Sequence, residues 1–398
     1  MTSVTDAVPR PADSVPSPAN AALSPAEPAP GLAQQRRLLP TKTPLGLLGP
    51  DGRPVRSSDL DMPGDDVLVG LHRQMVLGRR FDTQATALTK QGRLAVYPSA
   101  RGQEAGEIGA VAALRPQDWL FPTYRDSMAL VARGVDPVEV LTLLRGDWHC
   151  GYDPYAHRIA PQCTPLATNA PHAVGVAHAA RLKGEDTVAL VMLGDGATSE
   201  GDTHTALNFA AVWNSPVVFF VQNNGYAISV PVAKQTAAPS LAHKGIGYGI
   251  PGMLVDGNDP AAVYAAVRQA VQSAADGGGP TLIEALTYRI EAHTNADDAG
   301  RYRSQAEVRT WLDRDPVMRI RQYLLGRGLL DGAALSALDA EAEAQAEDLR
   351  RRMNADPVPD PADLFRFVYA EPPAELRRQQ RQLAAELKEL ADAAGEVR

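Results

Sequence analysis

VALVMLGDGATSEGDTHTALNFAAVWNSPVVFFVQNNGYAIS, residues 188–229, decides how the rest of the chain is read. Two short apolar, β-branched runs, VALVML and VVFFVQ, flank a segment with helical character, SEGDTHTALNFAAVW. Continuous apolar runs alternating with helices predict parallel strands covered on both faces. A strand–helix–strand unit brings the carboxyl ends of its two strands to one edge of the sheet, where open α/β sheets bind ligands. Asp195 stands at the first of these ends, and Asn223 and Asn224 at the second.

The glycines on either side of Asp195 look like a phosphate loop, yet a carboxylate repels a bare phosphate. A hard cation removes the conflict. Carboxylate, side-chain amide oxygen and a backbone carbonyl from the Gly225–Tyr226 turn form an all-oxygen set suited to Mg²⁺ or Ca²⁺. Backbone N–H groups at the start of the helix, near Ala197 to Ser199, would complete the anion site. A dinucleotide fingerprint requires GxGxxG, but after Gly194 and Gly196 the next glycine is Gly201. A nucleotide P-loop requires Gly-Lys-Ser/Thr, and the glycines here have no such lysine. A tight structural turn would explain GDG alone, but not GDG paired with NN at the end of a second strand.

Composition sets the outer bounds. The chain has 398 residues, 44% hydrophobic and 22% charged, as soluble globular proteins do. With 39 Lys+Arg against 47 Asp+Glu the formal net charge is -8, which gives no global basis for nucleic-acid binding. Cys150 and Cys163, the only cysteines, lie in no CxxC or CxxH context and read as reduced structural thiols. No apolar run is long enough to span a membrane, and no basic-then-apolar secretory signal opens the chain, so cytoplasmic residence is expected.

Three segments follow from the pattern. Residues 1–45, rich in Pro, Ala and Ser, read as a flexible tail. Residues 46–330 read as one α/β domain with a mainly parallel sheet covered by helices on both faces. Residues 331–398 read as a helical extension, whose last helix carries Leu376, Leu383, Leu387 and Leu390 on one face and is expected to pack by it. DWLFPTYRD (118–126) reads as an aromatic turn, and residues 146–169 as a long loop of the functional kind.

GDG followed by NN resembles the thiamine-diphosphate motif. The surrounding residues are specifically similar to the α subunit of the E1 component of 2-oxo acid dehydrogenase complexes. The similarity runs from RLAVYPSARGQEA to DPVMRI and includes PTYRD, TPLAT and TYRIEAHTNADDAGRYR. It implies a thiamine-diphosphate-binding fold in which Asp195, Asn224 and the Tyr226 carbonyl hold Mg²⁺ against the diphosphate. It further implies that Gly194, Gly196 and Ala197 line the phosphate side, that Tyr124 and Arg125 join the cofactor site, and that Thr164 and Leu166 position the aminopyrimidine. His293, after a strand and at the start of a polar loop, matches the family's catalytic histidine and also reaches the cofactor. Arg289, Asp297, Asp298, Tyr302 and Arg303 fit a charged network that orders this loop, and Thr294 occupies the position of a phosphorylatable serine in some relatives. Gln222 departs from the arginine that branched-chain relatives place before NN, and Cys163 stands where some use serine near a potassium site.

The implied activity is oxidative decarboxylation of a 2-oxo acid, with acyl transfer to a lipoyl-bearing E2 component. A β subunit would supply the remaining catalytic carboxylate in an α₂β₂ tetramer. The leading substrate class is branched-chain 2-oxo acids of the 3-methyl-2-oxobutanoate type, with pyruvate as the alternative. A non-catalytic assembly subunit is the reading from a different class.

Overall fold

The computed structural model describes residues 38–57, 59–147, 149–355, 360–366 and 368–395. Most of the expected N-terminal tail therefore lies outside the described residues. Leu45, at its end, bridges in parallel to Val255, and its N–H donates to the Leu254 carbonyl at 2.8 Å.

Five parallel strands form the sheet: β1 (Trp119–Phe121), β2 (Ala189–Gly194), β3 (Val217–Asn223), β6 (Gly252–Asp256) and β7 (Thr281–Leu286), in the order β1-β2-β3-β7-β6. The two-residue strands β4 (Tyr226–Ala227) and β5 (Val230–Pro231) pair as a small antiparallel hairpin just past β3. Alternation along each strand sends side chains to opposite faces. On β2, Leu190 and Met192 join one apolar cluster, while Ala189, Val191 and Leu193 join another. On β3, Val218 and Phe220 pack with the first cluster, and Val217, Phe219 and Val221 with the second. Both faces are thus buried, the physical reason these strands are apolar without a polar side.

Helices α1 (Asp65–Lys90), α2 (Glu104–Ala112), α3 (Ser127–Ala132) and α4 (Pro137–Arg145) supply the first face. After the short α5 (Pro154–His157), α6 (Asn169–Lys183) and α7 (Gly201–Val212) cover the second, and α8 (Pro260–Ala275) returns to the first. Beyond α9 (Gln305–Leu312) and α10 (Pro316–Gly326), α11 (Gly332–Met353) lies along α1. Its Leu349 and Met353 enter the core, and Glu343 pairs with Arg80 at 2.7 Å.

Two expectations are corrected. The segment DWLFPTYRD is not only a turn: Trp119–Phe121 is the edge strand, aligned with Ala189–Val191 of β2. Three residues are too few to show a period, and Pro122 ends the strand at once. The long loop that follows is fastened beside β1 at two points, by the Leu120–Ile159 and Thr123–Cys163 bridges. The second correction concerns the last described helices, α12 (Asp363–Arg366) and α13 (Ala374–Gly395). None of the four leucines of α13 is buried, and Leu387 and Leu390 are 38% and 67% exposed. One leucine every second turn through Leu376 and Leu383 makes a seam narrower than a core-covering helix needs.

Candidate functional site

The register of the sheet builds the site. Gly194 of β2 is level with Gln222 of β3, and Asn223 is level with Leu286 of β7. One step further along each chain, Asp195 and Asn224 leave the same rim side by side. Tyr226 follows in the β4 hairpin.

A cavity of about 440 Å³ opens at this rim, within the usual range for ligand pockets of about 300–1,000 Å³. Its lining includes every residue that the sequence assigns to cofactor, metal or catalysis: Tyr124, Arg125, Thr164, Leu166, Gly194, Asp195, Gly196, Ala197, Asn224, Tyr226 and His293. Thr164 and Leu166 arrive from the segment fastened to β1, with Leu166 45% exposed at the cavity surface. Val96, Pro98, Leu144 and Ile228 add apolar lining.

The glycines behave differently from one another. A Cβ added to Gly194 would meet nothing within 4 Å, so the space beside it is open for a ligand. A Cβ on Gly196 would lie 2.7 Å from the Ala227 Cβ, so glycine there permits the two loops to close on each other. Gly196 also opens a short 3₁₀ turn, Gly196–Ser199, from which α7 follows.

Asp195 is 1% exposed, and its Oδ2 accepts from Gln235 Nε2 at 2.6 Å. Burial pushes its carboxyl up from the usual carboxylate range, while Gln235, the Arg289 charge and the Asn224 backbone pull the other way. A buried carboxylate with so little compensation is placed to receive a cation. Asn224 points its Oδ1 toward the hairpin, accepting the Tyr226 N–H at 3.3 Å, while its Nδ2 donates to Gln103 at 3.0 Å. The Tyr226 carbonyl accepts from Arg289 Nη1 at 3.3 Å, long enough to leave its second lone pair available. Among the described residues no group of three or more His, Cys, Asp and Glu could hold a metal. A cation here would rest on one carboxylate and neutral oxygens, the donor chemistry of Mg²⁺ rather than zinc. The donor set therefore fits.

His293 sits between two cations. Arg125 Nη2 lies 3.1 Å and Arg289 Nη1 3.3 Å from its Nδ1. Guanidinium has only donors, so Nδ1 is an acceptor and the neutral ring carries its proton on Nε2. Burial first, then Arg125 and Arg289, lower the His293 pKa to about 4 against the opposing pull of Asp297. Arg125 also donates to the carbonyls of Ser99 at 2.8 Å and His293 at 3.1 Å, and its guanidinium lies 5.6 Å from the Tyr124 ring centre. Arg289 binds the Ile228 carbonyl at 2.7 Å and Tyr302 Oη at 2.9 Å. Asp297 accepts the His293 N–H at 2.7 Å, Arg303 donates to the Ile290 carbonyl at 2.6 Å, and Asp298 caps the turn at Gly300. Thr294 lines the cavity beside His293.

Gln235 and Gln103 escaped sequence reasoning as site residues. Gln235 comes from a short 3₁₀ stretch with no period to mark it. Gln103 is visible only as the N-cap of α2, where it reads as a helix start.

Among the described residues no helix is long and apolar enough to cross a membrane. A family model described as the dehydrogenase E1 component matches residues 72–362. The chain is 49% identical over 346 residues to 3-methyl-2-oxobutanoate dehydrogenase subunit alpha of Mycobacterium tuberculosis (strain ATCC 25618 / H37Rv), covering 86% of this chain and 94% of the relative. It is 36% identical over 335 residues to the pyruvate dehydrogenase E1 component subunit alpha of Bacillus subtilis (strain 168), covering 84% and 90%. It is also 36% identical over 320 residues to the 2-oxoisovalerate dehydrogenase subunit alpha of the same organism, covering 77% and 96%. With a single family model over most of its length and relatives matched nearly end to end, the chain belongs to the dehydrogenase E1 component family, among its α subunits.

Proposed function

We propose that this α subunit works with thiamine diphosphate and Mg²⁺ in the oxidative decarboxylation of branched-chain 2-oxo acids of the 3-methyl-2-oxobutanoate type. It passes the acyl group to a lipoyl-bearing E2 component and acts with a β subunit as an α₂β₂ assembly in the cytoplasm. One observation carries the cofactor reading: Asp195, Asn224 and Tyr226 line one strand-end cavity together with His293, and the Asn224 Oδ1 accepts the Tyr226 N–H beside it. Asp195, Asn224 and Tyr226 are the metal ligands, and Gly194, beside open space, with Gly196 and Ala197 lines the diphosphate side. Tyr124 and Arg125 stand at the phosphate side, while Thr164 and Leu166 support the aminopyrimidine. Bound thiamine diphosphate supplies the electron sink for decarboxylation. His293 offers its Nε2 proton as a fixed, uncharged donor, and Arg125 and Arg289 keep its ring from turning.

The substrate class is supported by 49% identity to a 3-methyl-2-oxobutanoate dehydrogenase subunit, against 36% to a pyruvate dehydrogenase subunit. Pyruvate remains the second reading because a 2-oxoisovalerate relative also stands at 36%. Co-expression with the cognate β subunit tests both. The assembly should prefer 3-methyl-2-oxobutanoate over pyruvate in kcat/KM by at least about tenfold, as expected when a pocket recognises extra methyl groups. This chain alone should show no turnover. Preference for pyruvate would establish the second reading, and full turnover by this chain alone would remove the need for a β subunit.

A further inference from the structure

Four buried polar side chains run in a single row from Asp126 to Asn224, and three of them, Gln222, Gln103 and Asn224, line the cavity. Gln222 Nε2 donates to Asp126 Oδ1 at 2.6 Å. Gln103 Nε2 donates to Gln222 Oε1 at 3.1 Å. Asn224 Nδ2 donates to Gln103 Oε1 at 3.0 Å. All four are at most 6% exposed, so a mismatched link would leave buried polar atoms unpaired.

We propose that Asp126 sets, through Gln222 and Gln103, which end of the Asn224 amide faces the metal site. This rests on the reading above that Asn224 Oδ1 is a metal ligand. A primary amide has an acceptor at one end and donors at the other, so each link in the row fixes the next. The row needs one member whose polarity cannot reverse, and a carboxylate, which only accepts, is that member. Thr123 N–H, a backbone donor, occupies the other oxygen, Asp126 Oδ2, at 2.6 Å. Burial pushes the Asp126 carboxyl up, and the bonds from Thr123 and Gln222 together with the Arg125 charge oppose it. With Asp126 accepting, Gln222 must donate to it, Gln103 must donate to Gln222, and Asn224 must donate to Gln103. Oδ1 of Asn224 is what remains for the cation. The Tyr226 N–H, at 3.3 Å, pulls the same way, weakly at that length. Asp126, Gln222 and Gln103 are positioning residues in this proposal, since each acts on the metal site through Asn224.

Asp126→Asn reverses the row without changing its shape. Thr123 N–H claims the new amide oxygen, the amide nitrogen then donates to Gln222, and the reversal travels to Asn224. Mn²⁺ binding to the co-expressed αβ assembly, read by electron paramagnetic resonance at saturating thiamine diphosphate, should weaken about 10–100-fold, as for other outer partners of metal ligands. The double variant Asp126→Asn/Gln222→Glu moves the acceptor-only group one link closer to Asn224 and restores the original direction. It should recover at least about tenfold of the lost affinity. A role in packing alone predicts a double variant no better than the single one. Unchanged Mn²⁺ affinity in folded Asp126→Asn, or no recovery in the folded double variant, overturns the proposal. Where Asp126→Asn fails to fold, Gln222→Met cuts the row while sparing Asp126, and it must weaken Mn²⁺ binding for the proposal to stand. Wild-type assembly that binds Mn²⁺ equally with and without thiamine diphosphate would instead overturn the metal reading itself.

Discussion

Asp195→Ala abolishes Mg²⁺-dependent thiamine diphosphate binding and leaves the protein folded, with a Tm at or above that of the wild type. The binding loss follows from the donor set: among the described residues Asp195 is the only carboxylate lining the cavity with Asn224 and Tyr226, and neutral oxygens alone hold Mg²⁺ poorly. The stability result follows from burial, which raises the Asp195 pKa above its unfolded value. Such a group favours the folded state when protonated, and that contribution is lost as pH rises through the folded pKa. Above its unfolded pKa the buried side chain is therefore a cost to folding, which alanine removes. Gln235 keeps a partner, since its Nε2 also donates to the Val230 carbonyl at 2.9 Å. Calorimetric titration and thermal melts of the αβ assembly read the two effects separately. Normal cofactor binding by the variant would contradict the account, and a large loss of Tm would show that Asp195 is structural.

His293→Ala should lower turnover to the lipoyl acceptor by about 10²–10³, the usual weight of a positioned proton donor. Thiamine diphosphate affinity should change much less, because the proposed metal ligands Asp195, Asn224 and Tyr226 stay in place. Removing the ring also leaves the Arg125 and Arg289 guanidinium groups without the Nδ1 acceptor between them. The pH behaviour is specific. With its pKa lowered to about 4, His293 is neutral in the fold while an unfolded histidine titrates near 6.5. Between those values the unfolded chain binds more protons, so wild-type stability falls as pH drops from about 6.5 to about 4. His293→Ala should flatten that part of the stability curve. An acid limb of the activity profile near 6.5 that vanishes in the variant would show an imidazolium cycle instead of a fixed neutral donor.

The sheet was legible because its strands are buried on both faces and therefore apolar throughout: VALVML and VVFFVQ announce themselves, and βα alternation implies their direction. Trp119–Phe121 did not, since an edge strand of three residues before a proline carries no period. The placement of the candidate site was equally legible, because Asp195 and Asn224 follow the ends of recognisable strands. Gln235, Gln103 and Asp126 are different. They reach the site through pairings between residues far apart in sequence, and nothing local distinguishes such a glutamine from a solvated one. The leucine seam of α13 shows the opposite failure: a clear pattern on the helix, but no described residue of it buried. Periodicity reports that a face is apolar, not what covers it.

The most direct test of the account is a calorimetric titration of thiamine diphosphate into the wild-type αβ assembly, with Mg²⁺ and then with the metal removed by chelation. One cofactor should bind per copy of this chain with Mg²⁺, and affinity should fall at least about 100-fold without it, since the proposed cation would offset the repulsion between the Asp195 carboxylate and the diphosphate. Equal affinity in chelator would contradict it.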